Sequence, residues 1–277
     1  MRFGNDDSDR SNVEDDRGSS GGGGRGFGGI HLGLGGMVVV GILSLVFKTN
    51  LFALLGSGGS QSSAPVANSP QANERRQLES GSEKIAVEAF NDVQHFWARD
   101  LPGKWHDAKL VLFWDQVQSG CGGAEAAMGP FYCPRDEKVY IDLGFYKELA
   151  QRFGAPGEFA QAYVIAHEVG HHLQDVLGIT QKVQGGGPAT SVKVELQADC
   201  FAGVWGHNAA GRKLLDPGEA QQGLRAAASV GDDRLQKMAG RRVNPETFTH
   251  GSSEQRMHWF GRGMQSGNLK DCDTFAQ

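Results

Sequence analysis

The run His167-Glu168-Val169-Gly170-His171, with Glu195-Leu196-Gln197-Ala198-Asp199 beginning 24 residues after His171, constrains this chain more than any other feature. On a helix of 3.6 residues per turn, His167 and His171 leave one face about 6 Å apart. Two imidazoles at that spacing can hold one Zn²⁺ through bonds of about 2.0–2.1 Å. Glu168 sits one position around the helix. It cannot comfortably join them as a ligand, but it can reach a metal-activated water as a general base. A third ligand has to come from another element.

The flanking residues argue against two solvated surface histidines. Ala162 to Ala166 is too apolar for an exposed helix face. The continuation His172-Leu173-Gln174 excludes the variant that carries a third histidine on the same segment, because Gln174 stands at its glycine position and Leu177 at its histidine position. Glu195 is the best third ligand, since Leu196, Ala198, Phe201 and Ala202 make its segment apolar enough to be buried. Asp199, one turn on, can accept the free ring N–H of a ligating histidine and fix its tautomer. His250 and His258 are weaker alternatives. His172 points about 100° away from His171 and is not counted as a ligand.

The chain has 277 residues, enough for one medium domain with appendages. Residues 1–31 are polar and Gly-rich, and are expected to be disordered. Residues 32–55 are apolar apart from Lys48-Thr49-Asn50, and read as a single transmembrane anchor with Lys48 able to snorkel. A cleaved signal peptide or a buried helix are the alternatives. Residues 56–82, rich in Gly, Ser, Pro, Ala and Gln, read as a flexible linker, and 83–277 as the folded domain. Arginines before the span favour a cytoplasmic N-terminus, with the domain outside the cytoplasm.

Within the domain, Ser82–Arg99 has a cap and helical apolar spacing, and Lys109–Trp114 and Lys138–Leu143 read as strands. Pro156-Gly157 opens the helix that carries the histidines and Gly178 closes it. Thr190 or Ser191 caps the next, running to about Gly206. Asp216-Pro217-Gly218-Glu219 and Ser252-Ser253-Glu254-Gln255 start two more. The expectation is an α+β fold, mainly helical, with a small sheet.

Cys121, Cys133, Cys200 and Cys272 form no C-x-x-C pair, which disfavours a structural zinc knuckle. Three disulfide connectivities are open. Cys121–Cys133 with Cys200–Cys272 is preferred, the first closing a Gly-rich loop and the second tying down the tail. Four reduced, buried cysteines are the alternative.

The E-x-x-x-D partner resembles that of the thermolysin-like zinc peptidases, in which the glutamate ligates and the aspartate supports a ligand histidine. More closely, the chain resembles the bacterial membrane-anchored "putative neutral zinc metallopeptidase" family. The matching segments are 129–134, AYVIAHEVGHHLQ at 162–174, ELQADCFAGVW at 195–205, GDDR at 231–234 and FTHGSSEQR at 248–256. The resemblance implies a zincin-like domain with one zinc on His167, His171 and Glu195, and peptide hydrolysis with Glu168 as base. It also implies a protein or peptide substrate at the bacterial inner membrane. By analogy with zincin-like folds, the strand from Lys138 would be the edge that pairs with extended substrate.

A second donor usually shares the oxyanion charge. His250 is the candidate catalytic donor, with Tyr163 and Tyr132 behind it, although His250 could equally be a structural histidine before the last helix. Asp232-Asp233-Arg234 reads as an ion cluster or a helix cap. A net charge of −5 gives no reason to expect nucleic acid. Two rival functions stand beside a peptidase: a hydrolase of cell-wall peptide amides using the same site, and a zinc-binding envelope protein without turnover. The retained Glu168 argues against the latter.

Overall fold

The computed structural model of the protein describes residues 1–18 and 69–276. Its strands are β1 (Val13–Asp15), β2 (Lys109–Leu112), β3 (Gln116–Ser119), β4 (Gly122–Glu125), β5 (Phe131–Cys133) and β6 (Lys138–Ile141). Its helices are α1 (Pro70–Asp100), α2 (Gly144–Gln151), α3 (Glu158–Val176), α4 (Ile179–Val183), α5 (Pro188–Gly211), α6 (Ala220–Ser229), α7 (Asp232–Met238) and α8 (Ser253–Ser266). The expected α+β, mainly helical architecture is present.

The main sheet has the order β1-β2-β6-β5, parallel except for the antiparallel β5–β6 pair. Strand alternation splits its side chains between two cores. Leu110, Leu112, Val139 and Ile141 face the helices, while Val111, Phe113 and Tyr140 face a smaller cluster with Val117 and Ala124 of the β3–β4 hairpin. The segment expected to be only a Gly-rich loop therefore holds a hairpin and a strand. Cys121–Cys133 closes it, and Cys200–Cys272 binds the tail to α5, the preferred pairing. β6 lies inside the sheet between β2 and β5, which corrects its expected role as an edge. The outer strand on the side of α3 is β5.

Two domain boundaries also need correction. Residues 1–18 were expected to be disordered, yet β1 pairs in parallel with β2, Val13 opposite Leu110 through Asp15 opposite Leu112. Met1, Phe3 and Val13 of this strap pack against the main core, and polar bonds add to that hold. Asn91 donates to the carbonyls of Asp7 and Asp9, and the Met1 ammonium meets Glu158 and Glu219. Buried Arg17 bonds Asp15 and Glu83. The second correction concerns 70–82, expected as linker. Ser69 accepts the Ala72 N–H and Pro70 takes the first helical position, so α1 starts well before Ser82. Arg75 reaches Glu79 and Asp142, and Trp114 donates to Glu79, which fixes this polar first part on the domain. Residues 32–55, the expected anchor, lie outside the described residues. Among the described residues, no helix is long and apolar enough to cross a membrane.

Glycines set how closely the site-bearing helices approach. A Cβ at Gly203 would fall 2.2 Å from the Phe260 carbonyl oxygen, and one at Gly263 would fall 2.1 Å from that of Cys200. α5 and α8 therefore cross in backbone contact. A Cβ at Gly170 would come within 3.1 Å of the Ala198 carbonyl oxygen, so the glycine inside the histidine run brings α3 onto α5.

Candidate metal centre

His167, Glu168 and His171 come from the middle of α3, and Glu195 and Asp199 from α5. His167 Nε2 lies 3.2 Å from Glu195 Oε2, and His171 Nε2 lies 3.6 Å from Glu195 Oε1. The two rings stand 4.8 Å apart between centroids and nearly perpendicular. A tetrahedral ion with arms of about 2.05 Å needs ligand atoms about 3.3 Å apart. The two distances, to different oxygens of Glu195, lie near that spacing, and one donor atom from each of the three residues lies within 4.8 Å of the others, the one such group of His, Cys, Asp and Glu among the described residues. The His171 and Glu195 side chains keep 17% and 18% of their surface exposed, so the position between them opens toward solvent on one side. Glu168, next to His167 on the same helix, is buried.

Asp199 is fully buried. Its carboxylate accepts from His167 Nδ1 at 3.0 Å, from the Tyr163 hydroxyl, and from Arg256 Nε and Nη2 at 2.8 and 2.9 Å. Burial pushes Asp199 up, but Arg256 and His167 outweigh it and hold it below the ordinary carboxylate range. With Nδ1–H donated to Asp199, His167 presents Nε2 to the Glu195 side. Burial pulls the His167 ring down, yet Asp199 and Glu195 raise it to about 10 in the metal-free protein. Burial likewise pushes Glu195 up, but the histidines around it hold it well down. A metal entering here has to displace the His167 proton, so metal affinity rises with pH.

His250 sits in the loop before α8, held by Asp232 at the start of α7. Asp232 Oδ2 accepts the backbone N–H groups of Thr249, His250 and Gly251 at 2.7, 2.7 and 3.1 Å, and its Oδ1 lies 3.3 Å from His250 Nδ1. Gly251 rests on Val192 and Leu196, which brings the loop over the Glu195 end of α5. Burial lowers the His250 ring, but the Glu195 and Asp232 carboxylates more than offset this and raise it. The other donor candidates are committed elsewhere. The Tyr163 hydroxyl binds Asp199 and is buried. The Tyr132 hydroxyl lies 3.0 Å from both His172 Nδ1 and Asp175, away from the metal ligands. His172 donates Nε2–H to the His106 carbonyl and is enclosed by Trp105 and His106. His258 is exposed on α8 and is not a ligand.

Three contributors carry no role in the motif reading. Arg256 neutralises Asp199. Asp232 does more than cap, because it orients the His250 loop. Gln174 bonds His171 Nδ1 through Oε1 at 2.9 Å. Arg256 had a sequence signal: it falls on the same stripe of α8 as Trp259, Phe260 and Gly263, where a lone cation needs a buried partner.

The fold brings an H-E-x-x-H run on one helix and a carboxylate from a second helix into one group that could hold a metal ion, the arrangement of the H-E-x-x-H class. The family model described as "Putative neutral zinc metallopeptidase" matches residues 1–275, and the chain belongs to that family. At the level of the family it is a zinc metallopeptidase. The match extends through the N-terminal strap, in keeping with its place in the sheet. The chain is 41% identical over 279 residues to the uncharacterized protein YpfJ of Escherichia coli K12, covering 96% of each. It is 46% identical over 204 residues to the uncharacterized protein Rv2575 of Mycobacterium tuberculosis H37Rv, covering 69% of each. No solved structure matches.

Proposed function

We propose that this chain binds one Zn²⁺ through His167, His171 and Glu195 and hydrolyses peptide bonds with Glu168 as the general base. The observation that carries the reading is the spacing of the three donors, 3.2 and 3.6 Å across Glu195, with Glu168 on the same helix. Zinc bound there supplies a Lewis acid that acidifies a water and polarises a scissile carbonyl. Glu168 takes a proton from the attacking water and passes it to the leaving amine. His250, oriented by Asp232, donates a ring N–H to the oxyanion. Asp199 keeps His167 in the ligating tautomer. The outer strand β5, beside α3, offers its unpaired side to an extended substrate, the zincin-like mode of binding.

The localisation proposed is a bacterial cell membrane with the domain outside the cytoplasm. The apolar run 32–55 and the two disulfides support it. A chain that crosses a bilayer once has its flanks on opposite sides, whereas β1 and β2 share a sheet. Within one chain, docking of β1 and a single crossing between residues 19 and 68 exclude each other. Reporter fusions at the two ends measure this directly. Ends on opposite sides mean that β1 has left β2 in the membrane-bound form.

The test of function is peptide-library cleavage by the zinc-loaded protein beside its Glu168→Gln variant. Loss of cleavage by about 100- to 10,000-fold in a variant that retains zinc supports the proposal. A zinc-loaded, folded wild type that cleaves neither peptides nor cell-wall peptide amides overturns it in favour of a binding protein.

A further inference from the structure

His167 has a carboxylate to fix its tautomer, but His171 has none. What faces His171 Nδ1 is the side-chain oxygen of Gln174, one turn on along α3, at 2.9 Å. An amide can present either oxygen or nitrogen, so this contact alone does not set the proton on the ring. Its surroundings do. Gln174 Nε2 lies 2.8 Å from the Val194 carbonyl oxygen and 3.0 Å from Gln197 Oε1. Gln197 Nε2 lies 3.0 Å from the Cys272 carbonyl oxygen. A carbonyl oxygen only accepts. Rotating either amide by 180° would set oxygen against oxygen in a dry interior, since Gln174 is 1% and Gln197 5% exposed. An unmatched buried pair of that kind is costly.

We infer that Gln174 and Gln197 form a polarised relay, set by the carbonyls of Val194 and Cys272, that holds His171 in its Nδ1–H tautomer and so turns the Nε2 lone pair toward the metal. Both glutamines are positioning residues: Gln174 acts on the ligand and Gln197 acts through Gln174. Donation runs in one direction, from His171 Nδ1–H to Gln174 Oε1, from Gln174 Nε2–H to Gln197 Oε1, and from Gln197 Nε2–H to Cys272. The far end is fixed covalently, because Cys272 is bonded to Cys200 of α5. The Thr274 hydroxyl also ties the tail to the Lys193 carbonyl. The tail staple thereby sets the proton position on a residue that begins 101 positions earlier in the chain, His171 against Cys272.

The inference rests on His171 being a metal ligand, but its first readout needs no metal. Long-range proton–nitrogen correlation on ¹⁵N-histidine-labelled, metal-free protein, at a pH where the ring is neutral, reports which nitrogen of His171 carries the proton. Nδ1–H in the wild type, shifting toward Nε2–H in Gln174→Met, supports the relay. Nε2–H in the wild type overturns it. The second readout is Zn²⁺ affinity by chelator competition. Gln174→Met is expected to bind zinc about 10- to 100-fold more weakly. Gln197→Met, which touches no ligand, is expected to weaken binding less and in the same direction. If Gln174→Met misfolds, Gln197→Met carries both readouts, and wild-type affinity with an unchanged tautomer there overturns the relay. A wild type that shows Nδ1–H but whose zinc binding survives His171→Ala leaves the relay standing and removes the ligand assignment.

Discussion

Two arginines are buried among the described residues, and they do not do the same work. Arg256 in α8 is 4% exposed and meets Asp199, which is fully enclosed. Arg17 in the N-terminal strap is 2% exposed by its side chain, but its partners Asp15 and Glu83 keep 32% and 16% of theirs. In the helical core, neither charge can be matched by water if its partner is lost. In the strap, Asp15 and Glu83 can turn to solvent, and buried Glu79, 3.7 Å from Arg17, keeps Arg75 and Trp114 as partners. The number of ion pairs matters less than whether both partners are desolvated. The core can therefore hold ligand atoms to a fraction of an ångström, while the strap is an attachment that ionic conditions can loosen.

The comparison breaks most sharply at Arg256. Arg256→Met leaves Asp199 charged, buried and facing His167, and is expected to cost about 3–5 kcal/mol in denaturant unfolding and to weaken zinc retention. Retained stability together with normal zinc binding would mean that Asp199 is better solvated than its burial indicates. Next in size is the staple. Cys200→Ala with Cys272→Ala opens a link with a sequence separation of 72 residues. It is expected to lower stability by about 2–4 kcal/mol, read as a fall in melting temperature.

Arg17→Met should cost only about 1 kcal/mol, because solvent compensates its partners. The expected signature is local: faster amide exchange at Val13 to Asp15 and their partners in β2, with zinc content unchanged. A global loss as large as that for Arg256 would erase the distinction between the regions. The smallest effect is that of acid. Burial pushes Asp15 up, but Arg17 and Arg76 outweigh it and hold it at about 2. A depressed carboxylate contributes stability above its unfolded value near 3.8, and that contribution is lost as pH falls toward 2. Exchange protection of β1 should therefore decline between about pH 4 and 2. It should also decline with added salt at neutral pH, where the exposed sides of these pairs are screened.

The same contrast separates what could be read from the chain and what could not. His167, Glu168, His171, Glu195 and Asp199 were legible because helical spacing projects each from a known face, and because apolar neighbours such as Ile165 and Phe201 signal burial. The helix starts at Ser252-Ser253 and the stop at Gly178 were legible for a similarly local reason. Ser252 caps with Gln255 in a reciprocal pair, and Gly178 takes a positive φ of 69°. The strap and residues 70–82 were not legible. They are held by a few apolar contacts from Met1, Phe3 and Val13 and by Arg17, Arg75 and Asn91 meeting groups tens of residues away, and a mostly polar segment with distant partners looks the same in sequence as one with none.

The sequence alone marked the candidate metal-ligand set, the helices that carry it and the family. Each of these residues is marked by neighbours within a turn or two of its own helix, where spacing is geometry. Only the tertiary structure decided that Arg256 neutralises Asp199, that Asp232 aims His250 and that Gln174 polarises His171. It also decided that β5, rather than β6, is the outer strand beside α3. The Arg256 and Asp232 contacts join different elements, and although Gln174 shares α3 with His171, the Val194 and Cys272 carbonyls that orient the two glutamines come from other segments. Backbone approaches at Gly170, Gly203 and Gly263 set the distances, and the absence of a side chain there encodes proximity without naming the partner.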